Sequence, residues 1–293
     1  MVSPAWLLAV AVLTAPQAPT PAPAPTPAPA PPSASGTFED KRYKVPIHGA
    51  YAFRDKAWMD DGTAIRVAVS NDEMPSDALD EHYDRTHAIN TLFADDETKV
   101  VYFELDEKGG YHGYSYYFES GDGCGYCFDS TVKSTVRAVD GGGRLRGELS
   151  FTGDDVRFQI QLDLPIPPKS WGDPLPRDGG EPGKAFLAYH AALEKRDHKA
   201  ILALSDADMK KRFLDYQKQG KLDGYLDYRW HDEHTDLKTI AITGGFVRGD
   251  HAVVLFDGSN AYIDHLYGEA VLRREGGAWL FHRDMVDVGS REK

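Results

Sequence analysis

Gly268-Glu269-Ala270-Val271-Leu272-Arg273-Arg274-Glu275-Gly276-Gly277-Ala278-Trp279 decides the reading of the C-terminal third of the chain. An alternating apolar run reaches Glu275-Gly276-Gly277, a turn signal, and a second strand-like run leaves at Ala278 toward Val288. Such a pattern predicts an antiparallel hairpin. Working backwards, Tyr262 to Arg274, Ala252 to Phe256 and Leu237 to Val247 are further strand-like runs, with Arg248-Gly249-Asp250 as a tight turn between two of them. Upstream of these the period changes. Phe186, Tyr189, His190 and Leu193 stand at i, i+3, i+4 and i+7 on an Ala-rich helix from Gly183 to Arg196. Asp197 opens a second short helix, and a third runs from Asp206 to Gln219 and stops at Gly220.

Three helices followed by a bent antiparallel sheet with a Gly-Gly-x-Trp ending resemble the cone-shaped α+β superfamily of ketosteroid isomerases, SnoaL-like polyketide cyclases and nuclear transport factor two. The resemblance covers 183–289. It implies a pocket between helices and sheet, which some relatives use for catalysis and others for binding or assembly. The polar groups that could reach such a pocket are His190, Asp264, His265 and His282; Phe186, Tyr189, Tyr262 and Trp279 would line it. If catalytic, one of the four would act as general base, and a second donor would stabilise an oxyanion.

Between about 37 and 167 the period is two. Val156, Phe158, Ile160, Leu162 and Leu164 alternate with polar residues, as do Ile65, Val67 and Val69, and Val101, Phe103 and Leu105. Gly-rich turns separate the runs, which predicts an antiparallel β-sandwich or barrel. One helix is expected between Ser76 and Leu92, with His82 and His87 five apart and solvated. Ile65–Asp72 and Leu145–Leu149 loosely resemble a β-rich domain of exported bacterial proteins, which implies location more than activity. Tyr111 to Phe118 is dense in aromatics and is expected to fill a core and an edge. Cys124 and Cys127 have redox-motif spacing without a following helix start, so a structural disulfide is expected, not a reactive pair.

Residues 1–18 read as a signal peptide: Ala5 to Leu13 is apolar and far too short to span a bilayer, although no Lys or Arg precedes it. Residues 19–36 form a Pro/Ala-rich linker that proline keeps out of helix and sheet. The expected organisation is therefore 37–167 as an antiparallel β-rich domain, 168–182 as a Pro/Gly-rich boundary and 183–289 as the cone-shaped α+β domain.

Formal net charge is -13, and the segment 37–169 carries 25 acidic against 15 basic residues. No basic stripe is present, which argues against nucleic acid. Trp230-His231-Asp232-Glu233-His234-Thr235-Asp236 is dense in potential metal ligands but reads as a solvated acidic loop. No cofactor or metal is expected. The reading as a whole is an exported, periplasmic or secreted, non-catalytic protein. It would bind a small apolar ligand or a protein partner and could pair as a homodimer through its C-terminal sheet. The alternative is an isomerase, cyclase or hydratase using an Asp/His pair.

Overall fold

A computed structural model describes residues 33–59, 62–92, 97–119, 122–168, 170–222, 224 and 237–289. The expected signal peptide, most of the Pro/Ala-rich tract and the Trp230–Asp236 cluster lie outside the described residues. Residues Pro32–Lys293 belong to one compact unit. The structure is mostly β, with three antiparallel sheets and, among the described residues, five α-helices.

The described residues open with β1 (Ser33–Asp40), which begins inside the expected 19–36 linker and past its last proline, followed by β2 (Lys44–Ile47), β3 (Gly49–Lys56) and β4 (Thr63–Ser70). The short helices α1 (Ser76–Asp80) and α2 (Arg85–Leu92) follow. Then come β5 (Val100–Leu105), β6 (Tyr111–Glu119), β7 (Asp122–Cys127), β8 (Lys133–Ser134), β9 (Arg137–Val139), β10 (Arg144–Thr152) and β11 (Val156–Pro165). One sheet has the order β2-β1-β11-β10-β8, with β9 also on β10; a second runs β3-β4-β5-β6-β7. Their facing sides share one core, in which Phe38, Phe158 and Ile160 of the first meet Val67, Val101 and Phe103 of the second. Of the sandwich or barrel expected, the antiparallel β-rich character is present, as two sheets facing one shared core.

Two local expectations need correction. The stretch from Ser76 to Leu92 is two short helices, not one, and the break at Glu81–Asp84 lets that segment reach into the C-terminal sheet. The alternation from Ile65 to Val69 implies one wet face, which the structure does not leave. Every residue of β4 after Thr63 is buried, because α1, α2 and Met285 cover the face that alternation assigns to solvent. Arg66 lies on that face and is neutralised by Asp55 at 2.5 Å.

In the C-terminal part, β12 (Asp173–Pro174) precedes α3 (Gly180–Glu194), α4 (His198–Leu204) and α5 (Ala207–Lys218). Next come β13 (Thr239–Arg248), β14 (His251–Ser259), β15 (Leu266–Glu275) and β16 (Ala278–Val288), paired in the order β12-β13-β14-β15-β16. Asp197 and Asp206 cap α4 and α5 by accepting from Ala200 N at 3.0 Å and Met209 N at 2.8 Å. One face of the sheet (Val254, Phe256, Ala270, Leu272, Phe281) packs on helix residues Phe186, Tyr189, Ile201, Met209 and Phe213. The opposite face holds Val253 and Val271 against Trp171. The stretch 168–182 is thus no free tether: Trp171 is buried and donates to the carbonyl of His82 at 3.0 Å, and β12 pairs with β13.

Candidate functional site

Of the eight residues expected to meet in a pocket, Phe186, Tyr189, His190 and Trp279 gather at one helix–sheet core, while Tyr262, Asp264 and His265 stand on the surface. Phe186 and Tyr189 are buried in the helix–sheet core, where Tyr189 stacks on Phe281 at 3.7 Å and Phe186 on Phe256 at 4.9 Å. These rings occupy the position where a lining would face a cavity. His190 is half-buried and lies edge-on to the Phe186 ring. Trp279 is half-buried beneath the Arg274 guanidinium. Tyr262 is 81% exposed, and Asp264 and His265 are exposed with it in the connection between β14 and β15. These three sit on the surface, away from the buried His282.

His282 is instead the centre of a buried polar network. In the β15–β16 pairing Val271 faces Arg283 and Leu272 faces Phe281, so His282 is the extra residue of a β-bulge. A bulge re-aims a side chain that strict alternation would direct elsewhere. His282 Nδ1 lies 2.7 Å from Asp206 Oδ2, with the side chains 1% and 0% exposed. Arg273 Nη1 donates to Asp208 Oδ2 at 2.6 Å and reaches Asp206 Oδ2 at 3.4 Å, and its Nη2 donates to Glu81 Oε1 at 2.7 Å. Glu81 comes from the break between α1 and α2, so the network ties the sandwich side of the chain to the C-terminal sheet. Burial pushes the Asp206 carboxyl up, but hydrogen bonds from His282 and Met209 N and the Arg273 charge outweigh it, and the acid ends below its ordinary value.

A second buried pair lies on the same face of β15. His82, fully buried, meets Glu269 at 2.6 Å through Nδ1, and Glu269 also accepts from the backbone N–H of Tyr83 and Asp84 at 3.2 and 2.9 Å. The expectation that His82 is solvated is therefore overturned. It faces a carboxylate 187 positions away that no local pattern reveals. His87 is also held, 3.2 Å from Asp287.

Asp206, Asp208 and His282 each bring a ligand atom within 4.8 Å of one another, a spacing compatible with a metal ion. Arg273 already lies between the two carboxylates and supplies the positive charge that a cation would bring. The network's chemistry is that of a clamp, since its acids are bonded to cationic or imidazole partners inside the protein.

Cys124 and Cys127 form a disulfide within β7, opposite Tyr116 and Tyr114 of β6. No helix begins at the pair, so it has none of the thiolate-stabilising geometry of redox motifs. Of the aromatic run, Tyr114 and Phe118 fill the sandwich core.

An open cleft lies elsewhere, beside the edge strand β3. Ala50, Ala52, Leu164 and Ile166 form its floor, Met74 closes one side, and Asp77 and Asp80 of α1 stand at the rim. Its volume is about 320 Å³, at the lower end of the range for small-molecule sites. A neighbouring depression of about 360 Å³ shares Ala50, Met74 and Leu164 and adds Glu73 and His48. Sequence reading missed this cleft because its residues come from three separated segments, none with a motif. No family model matches the chain, and neither curated proteins nor solved structures match it.

Proposed function

We propose that the chain is an exported, non-catalytic binding protein whose small, largely apolar ligand seats in the cleft between β3, α1 and the end of β11. The observation that carries this reading is the cleft itself: an apolar floor with polar groups confined to one rim, the usual composition of a small-molecule site. Export is supported by the short apolar run Ala5–Leu13 and by the paired cysteines. The cone-like reading of the C-terminal part is supported by three helices packed on one face of its sheet.

An isomerase-type enzyme would need a base that substrate can touch. Asp206 and His282 are sealed and bonded to each other, while Asp264 and His265 stand on an exposed connection, so the binding reading is the better supported. A homodimer through the C-terminal sheet would have to pair strand edges, because both faces carry packed side chains from within the chain.

The test is occlusion. Ala50→Trp, or Met74→Trp should β3 reject the first, fills the floor. An environment-sensitive apolar dye should bind the wild-type chain at one site and lose affinity by at least about tenfold in the variant. Undiminished binding to a folded variant would place the ligand elsewhere.

A further inference from the structure

Resting on that reading of the cleft, we infer that its ligand carries a positive charge at one end: an amine or quaternary ammonium joined to an apolar body. Every side chain lining the cleft proper that is charged at neutral pH is acidic. Asp77 and Asp80 line it, and no Lys, Arg or His does. Glu73 stands in the adjoining depression, where His48 is the one basic side chain.

The carboxylates are not equivalent. Asp80 Oδ1 accepts from Tyr51 Oη at 2.5 Å and has Arg85 Nε behind it at 4.0 Å. That fixes the carboxylate and offsets part of its charge from the protein side. Its other oxygen, Oδ2, makes no hydrogen bond among the described residues, and the side chain is 36% exposed. Asp77 is exposed, and its carboxylate makes no ion pair among the described residues. A fixed acceptor at the end of an apolar floor, with a second carboxylate one helical turn away, offers a cationic head an oriented partner. An anionic ligand would instead face two like charges and leave the rim unpaired. A neutral one would gain the floor and at most a hydrogen bond from the rim, without the charge.

Titration calorimetry of the full chain with three probes of equal chain length, an alkyltrimethylammonium, an alkanol and an alkanoate, separates the possibilities. The ammonium should bind about tenfold more tightly than the alkanol, with the alkanoate weakest, and added salt should narrow the gap. Asp77→Asn and Asp80→Asn should erase the preference, so that the ammonium and the alkanol bind within about twofold of each other. Asp77→Asn keeps the test open if disturbing Tyr51 unfolds the other variant. Equal affinity for all three probes, abolished by Ala50→Trp, would keep the cleft as the binding site and overturn the charge inference. Binding of none would overturn both.

Discussion

Asp206 shows how one side chain can do three jobs in the dry interior. It caps α5, holds His282 in its bulge and shares Arg273 with Asp208 and Glu81. Removing it leaves the buried His282 imidazole and the Met209 N–H without their acceptor, while Arg273 keeps Asp208 and Glu81, so Asp206→Ala should cost about 2–4 kcal/mol in urea unfolding. Asp206→Asn keeps an acceptor for the cap and should cost less. The pH dependence has a definite sign. Because the folded acid lies below the ordinary value of 3.8, its contribution is intact above that value and is lost as pH falls through the folded one. The gap in stability between wild type and Asp206→Asn should therefore shrink as pH is lowered from about 5 toward about 2. A gap that stayed constant would mean that the charge contributes nothing. Asp84 behaves in the opposite sense. Burial, aided by nearby Glu269, pushes its carboxyl up against the His87 N–H bond that caps α2.

At the scale of elements, the hairpin of β15 and β16 shows how closely the sheet is fitted. A Cβ at Gly268 would stand 2.4 Å from the Met285 carbonyl oxygen and 2.5 Å from the Phe256 ring. Gly268→Ala should lower stability by about 1–3 kcal/mol, measured by thermal or urea unfolding. A neutral result would show that β15 and β16 can separate without consequence. This hairpin was legible in the sequence because alternation, Glu275-Gly276-Gly277 and Trp279 all point the same way. The three helices were legible for the same reason: Asp197 and Asp206 are capping residues in sequence and in structure. What alternation could not convey is which polar face stays wet. Glu269, Val271 and Arg273 share the face opposite Ala270 and Leu272, and the period alone sends them to solvent. Trp171 and the Glu81–Asp84 segment cover that face, and this depends on tertiary packing that the sequence does not spell out.

Across the molecule, the same limit separates the expected pocket from the open cleft. Sequence reasoning looked for function in the C-terminal part because a helix-and-sheet cone implies a cavity. Phe186, Tyr189, Phe256 and Phe281 instead pack face to face there. The cleft lies where β3, α1 and the end of β11 come together, with β3 and the end of β11 more than a hundred positions apart. Their meeting is fixed by the shared core of the two N-terminal sheets and by the clamps through Glu81 and His82, so the proposed binding cleft and the buried clamps are separate parts of one unit. Hydrogen–deuterium exchange of the full chain, with and without a saturating alkylammonium probe, tests this account most directly. Protection confined to 49–54, 73–80 and 163–168 is the expected result; protection at α3, β14 and β16, with these segments unchanged, would contradict it.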